Sequence, residues 1–313
     1  MRTLLFWLLL LFALPVYHGC VKDPGVTGYK TRKVLLVSVD GPRWSETWGD
    51  STRQYIPYRD QLLLPQGVLL TSFTNEGPTY TNAGHTAMLS GFYQTISNNG
   101  SEIPQMPNIF QHWLKSTGLP QEKAWFVSSK DKVNVLIDCQ DVKWAGRYLP
   151  KTLCGVNGPG SGYCDDTTTL RRALEVMQQH HPTLMMVHFK EPDAGGHSTI
   201  WNNYITGITS TDRYVAQLWN YLQSDPYYAG VTTMFVTNDH GRHLDTVANG
   251  FPSHGDNCAG CRHIELLAIG PDFKQNKELA VPYQLKDVPV TIGELLGFRM
   301  KHADGTVMHA LFK

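Results

Sequence analysis

Five apolar, β-branched runs, set between amphipathic stretches, constrain this chain more than any other feature. They are KVLLVSV (33–39), AWFVSS (124–129), TLMMVHF (183–189), TTMFVT (232–237) and IELLAI (264–269). None alternates apolar with polar residues, so each reads as a strand covered on both faces, the mark of a parallel sheet. Helical patterns lie between them: NIFQHWLKS (108–116), TTTLRRALEVMQQH (167–180) and TDRYVAQLWNYLQS (211–224). Asp165 or Asp166 can cap the second. Strands alternating with helices predict an α/β fold, a three-layer α/β/α sandwich on a largely parallel sheet. With 313 residues, 42% of them hydrophobic, the chain can bury one large core. We expect a single domain over 20–313, with room for a small cap insertion around 95–165.

In open α/β sheets, ligands gather at the carboxyl ends of the strands. Here those ends carry VDG (39–41), SSKDK (128–132), EPDAGGH (191–197) and NDHG (238–241). One acidic residue after a strand is unremarkable, but carboxylates, imidazoles and lysines collected on one rim suggest chemistry. Asp193 and His197 stand four apart across a glycine turn, and Asp239 and His240 are adjacent. Asp40 adds a carboxylate, and His254 or His263 a further imidazole. Zinc accepts this mixture of oxygen and nitrogen donors, and two sets of three ligands can be assembled.

In these motifs, taken jointly from about Lys33 to Phe298, the chain resembles the alkaline phosphatase superfamily. It is closest there to the single-threonine phosphatases and the nucleotide pyrophosphatase/phosphodiesterases. The resemblance implies two zinc ions, one held by Asp193, His197 and His254, the other by Asp40, Asp239 and His240. It favours His254 over His263, because SHGDN is similar to that family's late histidine motif. DVPVTIGELLG (287–297) resembles the family's closing helix.

PTYTNAGHT (78–86) resembles the family's nucleophile turn, with Thr81 on the attacking position and Thr79 shaping the turn. A helix starting at Thr81 would present the Asn82 amide to a phosphoryl oxygen, and zinc would make the hydroxyl reactive. His85 is expected to support the ligands rather than to join them. Asn98 or Asn99 corresponds to the family's phosphate-contacting asparagine. Lys130 and Lys132, in SSKDK, resemble its phosphate-binding cations and would favour monoesters, whereas Phe92, Tyr93 and Trp144 can line a slot for a diester. No Cys-x-Pro-x-Arg element is present to make a formylglycine, so a sulfatase is disfavoured. The hypotheses are a phosphomonoesterase, a phosphodiesterase or nucleotide pyrophosphatase, and a non-catalytic binding protein on this fold.

Lysine plus arginine and aspartate plus glutamate balance at 27 each, so no net field recruits a nucleic-acid polymer. The expected partner is a phosphorylated small molecule. Residues 1–19 join an early Arg2 to a short apolar run, the layout of a cleaved export signal. Gly19-Cys20 resembles a lipoprotein processing site, so we expect a periplasmic or surface protein with a lipid on Cys20 as its membrane contact. In an oxidising compartment Cys139, Cys154, Cys164, Cys258 and Cys261 are expected to form two disulfides and leave one thiol. Cys154 and Cys164 bracket a glycine-rich turn. CAGC (258–261) reads as a structural bridge rather than a metal knuckle, for want of a second cysteine pair.

Overall fold

The computed structural model describes residues 28–313; the expected export signal and Cys20 lie outside them. In chain order the elements are β1 (Lys33–Val39), β2 (Gly67–Leu70), α1 (Thr81–Ser90), α2 (Ile109–Thr117), β3 (Ala124–Ser128) and β4 (Lys151–Cys154). Next come α3 (Asp166–His180), β5 (Leu184–Phe189), α4 (Asp193–His197), α5 (Trp201–Ser224) and β6 (Thr232–Thr237). The last are α6 (Ala259–Arg262), β7 (Leu266–Ile269), β8 (Lys277–Leu279) and α7 (Asp287–Leu296). Among the described residues no helix is long and apolar enough to cross a membrane.

The strands form one sheet in the order β4-β3-β5-β1-β6-β7-β2-β8. From β4 to β6 every pairing is parallel. β1 shows why its sequence is apolar throughout. Val34 and Leu36 face a core shared with α1, α2 and α7, while Leu35, Val37 and Val39 face a second core under α3 and α5. A strand between two helical layers has no solvent side on which to place polar residues. This is the expected three-layer α/β/α sandwich.

Three expectations are corrected. The run 264–269 does not continue the parallel set, because β7 pairs antiparallel with both β6 and β2. Continuous hydrophobicity reports burial on both faces, not strand direction. The segment expected as a cap insertion, 95–165, supplies β3 and β4 to the sheet and packs α2 into the core. Finally, Cys139, Cys154, Cys164, Cys258 and Cys261 are all free thiols. The glycine-rich turn is pinned by hydrogen bonds instead. Gly162 N–H donates to Asp131 Oδ2 (2.8 Å), and Arg172 donates to the carbonyls of Gly155 (2.7 Å) and Val156 (2.8 Å).

Candidate active site

Register brings the rim together. Ser38 on β1 pairs with His188 on β5 and with Thr237 on β6, so the residues leaving these three strands emerge at one level. Asp40 follows β1, Asp239 and His240 follow β6, and Asp193 opens α4 after β5. The Asp193 N–H donates to the Asp40 carbonyl (2.9 Å), which ties two of these exits together.

Two clusters result: Asp40 with Asp239 and His240, and Asp193 with His197 and His254. In the first, His240 Nε2 lies 3.4 Å from both Asp40 Oδ1 and Asp239 Oδ2. These three atoms are buried and make no hydrogen bond. A buried polar atom without a partner costs about 1–3 kcal/mol, so three that converge call for a shared cation. In the second cluster His197 Nε2 and His254 Nε2 are 3.1 Å apart, and they stand 3.2 and 3.3 Å from Asp193 Oδ1. A tetrahedral ion with bonds of about 2.0 Å sets its ligand atoms roughly 3.3 Å apart. Both donor sets therefore fit a divalent cation of zinc's preferences.

Lys130 joins the clusters. Its ammonium is 2.7 Å from Asp40 Oδ2, 2.6 Å from Asp193 Oδ2 and 3.4 Å from Thr81 Oγ1. Burial works against that charge, but Asp193 and Asp40 outweigh it and raise the lysine pKa above its usual value. Burial would likewise raise both carboxyls, yet Lys130 holds Asp40 and Asp193 well below the ordinary range. At His240, burial is outweighed by Asp239 and Asp40, and the imidazole pKa rises. The SSKDK lysines thus divide. Lys130 is committed to the carboxylates, whereas Lys132 donates to the side-chain oxygen Asn98 Oδ1 at 3.1 Å.

Thr81 is the first residue of α1, is 1% exposed, and follows an N-cap, Tyr80, that makes no side-chain cap bond. Its hydroxyl faces Lys130. The Asn82 N–H donates to Asn98 Oδ1 (3.0 Å), so a helix-end amide and the Lys132 ammonium converge on one oxygen beside Thr81. Gly84 makes this packing feasible, because a Cβ there would stand 2.5 Å from the Asp239 carbonyl. Gly41, at φ +66°, turns the chain just after Asp40 between Arg242, His240 and Asp193.

The alternatives left open by sequence separate in space. His254 is in a cluster, while His263 bonds the Thr71 carbonyl through Nε2 and stacks on Trp44. Asn98 reaches the Thr81 turn, whereas Asn99 accepts from Ser97 and Ser101 within its own turn. Thr79 donates to the Asp256 carbonyl and through its own carbonyl contacts His254 Nδ1. His85 spans the Thr81 carbonyl (2.8 Å) and Asp239 Oδ2 (3.3 Å), a supporting position. Phe92, Tyr93 and Trp144 form no common slot among the described residues. Trp144 packs on His112 and Tyr148, and the Tyr93 hydroxyl accepts from Glu76 N–H.

Two residues escaped the sequence reading. Arg242 is fully buried, donates to Asp193 Oδ1 (2.5 Å) and Pro252 O (2.8 Å), and also bonds the Phe251 carbonyl. Its signal was its place directly after NDHG. His188, inside a strand, bonds Asp40 Oδ2 (2.9 Å) and Ser128 Oγ (2.8 Å). Burial lowers its pKa to about 4, so it supports Asp40 as a neutral imidazole.

A family model described as "Sulfatase" matches residues 32–298. The chain belongs to the sulfatase family. Its place within the alkaline phosphatase superfamily, expected from the motifs, is shown by the same comparisons. It is 23% identical over 253 residues to ectonucleotide pyrophosphatase/phosphodiesterase family member 7 of Rattus norvegicus, covering 74% of this chain and 55% of that protein. The chain thus spans about half the length of this curated relative. Among solved structures, an alkaline phosphatase superfamily protein from Vibrio parahaemolyticus aligns with a TM-score of 0.65 at 16% identity, over 90% of this chain and 71% of its own. A phosphonate monoester hydrolase of Agrobacterium radiobacter gives 0.62 at 14%, over 90% and 77%. A 2-O GAG sulfatase, BT1596, gives 0.69 at 14%, over 89% and 73%. At such identities these structures speak for the fold alone.

Proposed function

We propose that the chain is a two-zinc hydrolase of phosphoric esters, most active on monoesters of small molecules, acting through a covalent phospho-threonine at Thr81. The observation that carries this reading is a threonine hydroxyl, free of any capping role, 3.4 Å from the ammonium that links two donor clusters. Zinc held by Asp40, Asp239 and His240 and by Asp193, His197 and His254 would supply the charge that makes this hydroxyl acidic and offsets charge on the departing oxygen.

The protein's own groups do the rest. Thr81 Oγ, its proton passed to water, attacks phosphorus as the ester P–O bond breaks, and the departing alkoxide takes a proton from water to leave as the alcohol. Water then attacks the phospho-threonine, releasing phosphate and restoring the hydroxyl. Lys130 is held protonated, so it balances charge beside Oγ rather than acting as a base. The Asn82 amide and Lys132, which meet at Asn98 Oδ1, would turn to a nonbridging oxygen, where charge-assisted donors contribute most.

The family match and the GAG sulfatase neighbour favour sulfate esters as a second reading. Residue 81 argues against it, because oxidation of a cysteine or serine yields the formylglycine aldehyde and oxidation of a threonine does not. The rat relative's name favours phosphodiesters as a third. Zinc-loaded protein assayed on p-nitrophenyl phosphate, its bis ester and p-nitrophenyl sulfate separates them. We expect the monoester to be fastest, with phosphorylated Thr81 recovered by mass spectrometry after acid quench. Faster turnover of sulfate would overturn the proposal. Residues 1–20 support an exported, lipid-anchored protein, and a purely soluble cytoplasmic fraction would refute that part.

A further inference from the structure

We infer that the chain binds a third, structural zinc ion through His243, Asp256, Cys258 and Cys261, outside both clusters of the active site. Each offers one ligand atom, and these atoms lie within 4.8 Å of one another. A tetrahedral ion with bonds of about 2.0–2.3 Å sets its ligand atoms roughly 3.3–3.8 Å apart, so a small contraction closes the site. Sequence had set aside CAGC as a metal knuckle because no second cysteine pair accompanies it. Folding supplies the missing half as an imidazole and a carboxylate.

An independent observation points the same way. His243 is 6% exposed, and neither ring nitrogen makes a hydrogen bond. Its Nε2 lies 3.0 Å from Asp256 Oδ2 without bonding it, as two ligands of one ion do. Asp256 divides its oxygens, Oδ1 accepting from the Cys258 N–H at 2.9 Å and Oδ2 facing the imidazole. Cys258 and Cys261 are free thiols, the first the N-cap of α6 and the second within it. Two thiolates, an imidazole and a carboxylate suit zinc better than calcium or magnesium, which prefer all-oxygen shells.

The ion would clip one loop to another. His243 follows the Asp239-His240 pair, while Asp256 and Cys258 follow His254. Asp256 also accepts from Thr79 through its carbonyl at 2.6 Å, and Thr79 in turn contacts His254. The clip would hold His254 in place without touching substrate.

Cobalt tests this independently of any hydrolase activity, since neither active-site cluster contains sulfur. Protein purified under reductant, stripped of metal and titrated with Co(II) should develop a near-ultraviolet thiolate-to-cobalt charge-transfer band whose final intensity corresponds to one thiolate-bound cobalt per chain. The band should weaken in Cys258→Ser or Cys261→Ser and vanish in the double variant, with one equivalent of zinc lost per chain, and should survive in Asp239→Asn. Absence of the band in wild-type protein at saturating cobalt overturns the inference, whatever the variants do. So does recovery of a Cys258–Cys261 disulfide as the native state.

Discussion

The two clusters are built differently. Asp40, Asp239 and His240 are all 0% exposed and sit on the ends of adjacent central strands, each with a ligand atom that makes no hydrogen bond. The other trio is looser. His197 is 52% exposed in its side chain, His254 comes from an irregular loop, and Asp193 is already shared with Lys130 and Arg242. One donor set is preformed by the sheet and the other is assembled by loops, so on the proposed two-ion reading the first should hold a cation more firmly.

The most severe way to break this picture bears on both cages at once. Thr81→Ala should lower turnover by at least about 10,000-fold with metal content unchanged by elemental analysis; substantial remaining activity would return Thr81 to a packing role. Asp239→Asn should cost more than the roughly 10–100-fold typical of an outer partner and resist rescue by added zinc. His197→Ala should lose roughly 10-fold and recover in excess zinc. The reverse ranking would refute the contrast. Chelation should be biphasic, and the phase lost first should be the one that His197→Ala abolishes. Smallest, Lys132→Met removes a charged donor worth about 1.5–3 kcal/mol. It should reduce kcat/KM on monoesters about 10- to 100-fold and on diesters less.

How much of this was legible depended on what each feature leaves in one dimension. β1, β3, β5 and β6 were readable because burial on two faces writes a continuous apolar run. β2, β4 and β8 were not, being only three or four residues long with no longer apolar, β-branched run around them of the kind that marks the four-residue β7. α1 carries no periodicity, since all ten of its residues are buried and it has no polar face to mark. The first half of α5, from Trp201 to Ser210, was hidden by its threonines and asparagines. The two donor trios were readable through their resemblance to a family's motifs, whereas the residues alone left His254 and His263 open. Arg242 and His188 were not, because a buried cation beside a motif and a histidine inside a strand look like ordinary core. The cysteines were misread as bridged because thiol spacing is the same for a disulfide, a metal ligand or a free thiol.

The reversal of β7 has an outcome for how this molecule can vary. Because β7 runs against β6, residues 238–265 leave the catalytic edge and come back to it without crossing the sheet. Asp239, His240, Arg242 and His254 all ride on that single excursion. Its length between those residues can change with no strand changing partner. Diversification of specificity on this scaffold has its least disruptive route there.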